Sequence, residues 1–529
     1  MKMNKSKAWL IPTMLVLTLI GSACSGNQAS PNSGNKETNS SAVGTEEADQ
    51  DKAQEPVTIE IFAKQNAAEA VAPDHPILLE IEKELNAKLD ITWIPTNTII
   101  EKTKVTLASG DIPELMYIED PKDPLFHNAT SEGAFWDLTE VYKEYPNLAA
   151  YPAEAWENSK INGRNYGVPR PRPLEGGGTM PMLRKDWLDN LGLEMPVTLD
   201  EIYAVAKAFT EQDPDGNHQN DTYGIIGDVA PNHMGSLGWV EKAYTLSPNA
   251  IWKLEDGNLA YTAFDPNIKK ALEFLKKAYE EKVLSPDFAV LKHSQSRDMF
   301  MGNKGGILGS AVKPQWLFME ALLKIEPEGD IYPLPYVESE VGRYAEKGTG
   351  FYGMYSIPKT VPEAKLKRIL EVLDRGAQDD IGELAAYGFK DTHYTVAADD
   401  PTYIQSTEQA TSDNIAPILN NLSNIFTYYS EFFNGYYPGI PQEQYNRNKQ
   451  ILQERAAVSV SDPTVGILSP TYEIIGPDIE KNIQDMKINI IMGKSPMSAW
   501  DDLVERLKSD TQLEKAIEEM KAAYKDNVG

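Results

Sequence analysis

From Val57 onward, segments of strand period alternate with segments of helix period, a pattern that confines the chain to an α/β architecture with mainly parallel sheets. Val57, Ile59 and Ile61 alternate with Thr58 and Glu60, the period of two that marks a strand. Leu79 to Leu89 carries helical spacing, Ile91-Thr92-Trp93-Ile94 returns as strand, and Leu115-Met116-Tyr117-Ile118 reads as a short buried strand. With a helix between the last two, this segment predicts β-α-β-α-β. Further along, Thr198-Leu199-Asp200-Glu201 is a capping box ahead of Ile202, Val205, Ala206 and Phe209. Asp265-Pro266 predicts an N-cap and an N1 proline before Ile268, Leu272, Leu275 and Tyr279. Ser498 to Asp501 predicts a further start, with Trp500, Leu503, Val504 and Leu507 on one face. The chain has 529 residues. A single core stops growing near roughly 250–300 residues, so at least two lobes are expected.

The N-terminus reads as an address. Lys2, Lys5 and Lys7 precede an apolar run from Ala8 to Ala23, too short for a comfortable membrane span, so residues 1–23 are expected to be a secretory signal. The run ends in Gly21-Ser22-Ala23-Cys24, which resembles a bacterial lipoprotein signal with Gly21 where that pattern has Leu. The resemblance implies a diacylated Cys24 and a protein anchored at the extracellular face of the cell membrane. An ordinary cleaved signal with an incidental cysteine is the alternative. Cys24 is the sole cysteine, so the chain has no intramolecular disulfide and no thiolate metal site. Residues 24–56 are rich in Ser, Asn, Gly, Gln, Glu and Ala. They predict a flexible linker with a random-coil reach of about 30 Å. A formal charge of −29 repels phosphate backbones and anionic headgroups, so no nucleic-acid partner is expected.

Residues 213–222, Asp-Pro-Asp-Gly-Asn-His-Gln-Asn-Asp-Thr, place side-chain oxygens at loop positions 1, 3, 5 and 9 and a backbone carbonyl at position 7. Hard oxygen donors at that spacing suit Ca²⁺. The candidate ligands of a structural ion are Asp213, Asp215, Asn217, Gln219, Asp221 and Thr222. An EF-hand would have Gly at position 6 and Glu at position 12, where this chain has His218 and Gly224, and a metal-free Asx-rich turn is the alternative reading.

The strings Leu107-Ala108-Ser109-Gly110-Asp111-Ile112-Pro113-Glu114-Leu115, Asn165-Tyr166-Gly167-Val168-Pro169, Leu183-Arg184-Lys185-Asp186-Trp187-Leu188-Asp189 and Gly302 to Gly309 follow one another in a specific order. Phe351-Tyr352-Gly353-Met354-Tyr355-Ser356-Ile357-Pro358-Lys359 and the closing Ile491-Met492-Gly493-Lys494 extend that order to the C-terminus. Together they resemble the extracellular solute-binding proteins of family 1, the substrate receptors of bacterial ABC importers, in their large Gram-positive lipoprotein branch. The resemblance implies a type II periplasmic-binding-protein-like fold of two hinged α/β lobes closing on a cleft. It also implies an oligosaccharide ligand, transmembrane permease subunits as partners and a monomeric receptor. The expected division is an N-lobe over 57–166 and 346–429, and a C-lobe over 167–345 and 430–529.

A sugar cleft wants aromatic platforms beside carboxylates, amides and arginines. Trp316, after the glycine-rich strand Gly305 to Ser310, is a candidate platform, with helix-cap packing as the alternative. Lys64, Gln65 and Asn66 follow the first strand, and Glu119 and Asp120 follow the strand ending at Ile118, where open α/β sheets bind ligands. Arg170 and Arg172 suit an anionic ligand or, alternatively, hinge salt bridges. Trp239, Trp252, Tyr387 and Tyr472 complete the candidates, with a place in the core as the alternative for the two tryptophans and the one favoured. No His-Glu-x-x-His, Gly-x-Ser-x-Gly or Walker string occurs, which removes the usual signals of zinc peptidases, serine esterases and nucleotidases. A receptor and not an enzyme is expected. A lipid-anchored polysaccharide-degrading enzyme and the ligand-binding subunit of a sensor stay open beside it, and peptide stays open as the ligand.

Overall fold

The computed structural model describes residues 55–528. The signal, Cys24 and the linker as far as Gln54 lie outside the described residues. Nine strands build two sheets: β1 (Val57–Gln65), β2 (Ala87–Pro95), β3 (Leu115–Ile118), β4 (Val168–Pro171), β5 (Met180–Arg184), β6 (Tyr223–Ile226), β7 (Gly305–Ser310), β8 (Ile331–Pro333) and β9 (Phe351–Ser356). The first sheet has the order β2-β1-β3-β9-β4 and the second β8-β5-β7-β6.

The opening β-α-β-α-β unit is parallel, with β1 beside β2 from Val57↔Ala87 to Gln65↔Pro95 and β3 on its other edge. The sheets are nonetheless mixed. β9 runs antiparallel to β3 and β4, and β5 antiparallel to β7 and β8. A strand that re-enters its sheet from the other lobe is free of the right-handed crossover that keeps βαβ neighbours parallel, and β9 is such a strand.

The first helix spans Pro76–Glu84 and stops short of the expected Leu89. Asn86 takes a left-handed backbone, φ 45°, and Ala87 is already paired in β2. Thr198 and Glu201 close the expected capping box at the start of helix Leu199–Glu211. The Asp265 side chain accepts the Asn267 N–H at 2.7 Å, so the next helix starts at Asn267, one residue beyond the proline. Helix Ser498–Lys508 buries Trp500, Leu503 and Leu507 but starts without a side-chain cap.

Each sheet has its own core, one around Ile59, Ile61, Met116 and Met354 and one around Met180, Leu183, Trp187 and Ile225. The chain passes between them first over 172–179, because β4 belongs to the first sheet and β5 to the second. An N-lobe ending at residue 166 therefore stops too early. Tyr344 and Ala345 pack in the second core and β9 in the first, which puts the second passage at 347–350. The third lies between Phe426, in the first core, and helix Gln442–Ala456, whose Arg455 donates to the Leu334 carbonyl. Among the described residues no helix is long and apolar enough to cross a membrane.

Candidate functional site

The carboxyl ends of β1 and β3 bring Lys64 and Glu119 together. The Lys64 Nζ donates to both Glu119 carboxylate oxygens at 2.7 Å and to the Tyr352 hydroxyl at 3.1 Å. β9 presents Tyr352 through a bulge between Phe351 and Met354. At Gly353 the backbone has φ 72°, and a Cβ there would come within 2.4 Å of the Tyr117 hydroxyl, so only glycine fits. The bulge turns Tyr352 out of the sheet and leaves it 49% exposed. Two cations lie against its ring, Lys64 Nζ at 4.7 Å and Arg170 Cζ at 5.9 Å from the centroid. Arg170, from β4, is itself buried and donates to the Tyr352 carbonyl, the Ser423 carbonyl and Asn424 Oδ1.

Tyr352, Glu119, Asp120 and Lys122 form one wall of a pocket of about 290 Å³. Asp462 and Gly466, from the chain that carries the second core, form the other. Lys122 Nζ spans the gap and donates to the Thr464 carbonyl at 2.8 Å. The pocket is therefore bounded by both lobes and offers a ring face, a carboxylate, a carboxamide-rich rim at Asn158 and Asn162, and an ammonium. That mixture matches the hydroxyl and ring-face chemistry of a sugar.

Of the residues expected at the site, Lys64, Glu119, Asp120 and Arg170 meet around Tyr352. Gln65 and Asn66 brace the adjacent loop instead, Gln65 donating to the Ala67 and Ala68 carbonyls and Asn66 to Asn421 and Asn424. Trp239, 0% exposed, and Trp252, 3% exposed, belong to the second core, where flat apolar rings fill volume between helices and sheet. Tyr472 packs edge-on against Trp252 and donates to Glu480, and Tyr387 sits in a cluster with Tyr394, Tyr428 and Tyr436. Trp316 is half-buried between two apolar clusters, which is the packing alternative and not an open platform. No carboxylate bridges Arg170 or Arg172 among the described residues, so hinge salt bridging is not their role. Tyr352 was missed although it stands in the quoted Phe351-Tyr352-Gly353. The signal was the glycine, whose place inside a strand marks a bulge.

In the 213–222 loop His218 adopts φ 60°, the left-handed geometry that glycine has at that position of an EF-hand. Asn217 Nδ2 donates to Asp215 Oδ2 at 2.9 Å and to Asp221 Oδ1 at 3.2 Å, and the Gln219 N–H donates to Asn217 Oδ1 at 2.7 Å. Burial pushes the Asp215 carboxyl up, with Asp213 and Asp221 adding to it, and Lys304 pairs with Asp221. Asp213 Oδ1 is buried without a hydrogen-bond partner. The donors suit Ca²⁺ in kind, although among the described residues no three His, Cys, Asp or Glu side chains are already arranged around a metal position. Thr222 is not among those donors, because it is buried and its hydroxyl donates to the Phe209 carbonyl.

Two α/β lobes, joined by three passages of chain and enclosing a polar pocket, define a clamp-type receptor for a small solute. The chain is 30% identical over 460 residues to the polygalacturonan/rhamnogalacturonan-binding protein YtcQ of Bacillus subtilis, covering 86% of this chain and 89% of that one. It is 29% identical over 527 residues to lipoprotein LipO of the same organism, covering 96% of each. In structure it is similar to an HMO-binding, ABC-transporter-associated solute-binding protein of Bifidobacterium longum infantis, with a TM-score of 0.72 at 16% identity over 89% of this chain and 99% of that one. No family model matches the chain. The chain belongs to the extracellular solute-binding proteins, the substrate receptors of ABC importers, a family of binding proteins and not of enzymes.

Proposed function

We propose that the protein binds an oligosaccharide in the pocket between its lobes and delivers it, as a monomer, to the transmembrane subunits of an ABC importer. The observation that carries this reading is Tyr352, an exposed ring held by Lys64 and Arg170 at the rim of a pocket that both lobes bound. A sugar ring stacked there meets Glu119 and Lys122 with its hydroxyls. Because contacts to both walls are complete only when the lobes are together, the ligand shifts the lobes toward closure by its differential affinity. The sequence at Cys24 supports a lipid anchor on the extracellular face of the membrane. In the 213–222 loop Asp213, Asp215, Asn217, Asp221 and the Gln219 carbonyl would hold a calcium ion, which would cross-link the loop without touching the pocket.

The test is calorimetric titration of the chain from residue 55 with neutral and acidic oligosaccharides. Binding without product formation is expected for one sugar class, and Tyr352→Ala should weaken it at least tenfold, a loss of about 1.4 kcal/mol. Hydrolysis of the sugar, or unchanged affinity in the Tyr352 variant, would overturn the reading.

A further inference from the structure

The pocket beside Tyr352 lies beyond the carboxyl ends of β1 and β3, and the second sheet has a counterpart. A cavity of about 220 Å³, against about 290 Å³ for the first, takes in Asn232 and His233 from the turn that follows β6. It lies wholly within the second lobe, on chain from 232–263 and 480–487. Lys487 and Glu241 line it as a buried pair, the Nζ donating to both carboxylate oxygens at 2.6 Å. Glu480 lines it too and accepts from the Asn232 amide and the Tyr472 hydroxyl, both at 3.2 Å. Burial, with Lys242 adding to it, holds the His233 imidazole below its usual range, and its Nδ1 accepts the Gly235 N–H at 3.0 Å. The charges of Glu241, Glu480, Lys242 and Lys487 thus balance around the cavity, while Ile251, Ala263 and Ile483 give it aliphatic surface.

One donor in this cavity is unused. Gln484 is 1% exposed and lines the cavity, and its Nε2 is buried with no hydrogen-bond partner among the described residues. An amide N–H kept from water without an acceptor costs stability that a bound acceptor would restore. The other partnerless buried side-chain nitrogens, on Arg170, Trp187, Trp239 and Arg447, line neither pocket. The wall beside Gln484 is also built at a cost. Leu246 and Ala250 take left-handed backbones, φ 52° and 59°, and Ala250 lines the cavity. Such residues persist only where their surroundings over-determine them. Here Asn249 does so: its Oδ1 accepts the Ile251 N–H at 2.9 Å and the Trp252 N–H at 2.7 Å, and its Nδ2 donates to Asp462 Oδ1 at 3.0 Å and Thr464 Oγ1 at 3.1 Å. Asp462 lines the Tyr352 pocket, so the two pockets share a hydrogen-bonded wall.

We propose that this second-lobe cavity is a binding site for one uncharged saccharide ring, an oxygen of which accepts from Gln484 Nε2 while its C–H face lies on Ile251 and Ile483. The balanced lining gives neither a carboxylate nor an amine a net attraction, whereas hydroxyls, which both donate and accept, can pair with the carboxylates, ammonium groups and amides it offers. The ring is either a free monosaccharide or a further unit of the oligosaccharide that lies on Tyr352. In the second case the site rests on the reading above and extends it across the shared wall.

The test titrates the chain from residue 55 with glucose, galactose and mannose, with maltotriose, galactotriose and mannotriose, and with glucuronate. Gln484→Met keeps the length of the side chain and removes its donor. Without sugar this variant should melt at or above the parent's midpoint, since the donor it removes has no partner to lose. One of the neutral sugars should bind the parent and lose at least tenfold in affinity in Gln484→Met. A monosaccharide that does so, with affinity unchanged in Tyr352→Ala, is a free solute; a trisaccharide that Tyr352→Ala weakens as well is one ligand spanning both pockets. Affinity that falls in Tyr352→Ala but holds in Gln484→Met would overturn the site and leave the oligosaccharide reading standing. No binding of any neutral sugar would overturn both. A lower midpoint for Gln484→Met, or glucuronate bound more tightly than glucose through Gln484, would also overturn the site.

Discussion

Glu519 shows how one carboxylate ties two helices together. It accepts from the Ser469 hydroxyl at 2.6 Å, from the Thr471 N–H at 3.0 Å and from the Thr471 hydroxyl at 2.9 Å, so a residue of the last helix caps helix Pro470–Ile491. The Ser469 hydroxyl bond and the Thr471 bonds hold its carboxyl down, from 4.5 to about 2. A carboxylate with a depressed folded value adds stability above its unfolded value and loses it as pH falls through the folded one. Glu519→Gln should therefore lower the unfolding free energy by roughly 1 kcal/mol at pH 7, with the difference from the parent closing between about pH 4.5 and pH 2, as read by urea denaturation. None of this was visible in the sequence, because Ser469 and Glu519 are far apart along the chain and a bond between them exists only once the helices pack. The same limit explains the tryptophans. Trp239 and Trp252 offered the right ring chemistry for a sugar, but burial decides between platform and core, and burial is a property of the assembled lobe. Lys64 and Glu119 were legible because strand ends in α/β sheets are where ligands bind, a rule that needs only the strand assignments; Arg170 was legible only as an arginine able to meet an anion, since no strand was expected there.

Among the elements, helix Leu199–Glu211 lies so close to β6 that a Cβ on Gly224 would sit 1.9 Å from the Ala206 carbonyl oxygen. Gly224→Ala must push helix and strand apart and should cost about 1–3 kcal/mol, seen as a lower urea midpoint with an unchanged slope. The helix start at Thr198 announced itself because a cap is a local hydrogen bond between residues three apart, whereas the helix from Ser498 starts without one. Helix ends did not: the first helix stops at Glu84 because the chain turns through a left-handed Asn86, and apolar spacing alone ran on into β2. Parallel pairing of β1, β2 and β3 followed from their short helical connections. The antiparallel β9 did not, since its partner strands are set by a return from the other lobe.

For the molecule as a whole, the proposed ligand and the proposed ion are expected to act separately. A calcium ion held by the 213–222 loop would bind only the folded second lobe. A hundredfold excess over its dissociation constant should stabilise that lobe by about 2.7 kcal/mol, and a chelator should lower its melting midpoint by a few degrees while leaving sugar affinity within twofold. Loss of sugar affinity on chelation would place the ion in the pocket instead. A two-lobe division was legible from length and from the order of the motifs. The place where the chain first crosses was not, because β4 contributes four residues that read equally well as linker.

The order β2-β1-β3-β9-β4 has a consequence for biosynthesis. β9 sits between β3 and β4, so β4 has no neighbour in the sheet until residue 356 has been made, by which time the strands of the second sheet have all been made. The sheet that starts first finishes second. A fragment ending after β4 carries an unpaired strand and an open sheet edge. The first lobe is therefore not obtainable by truncation, and a library of shortened chains would yield aggregation at every endpoint before β9 is complete.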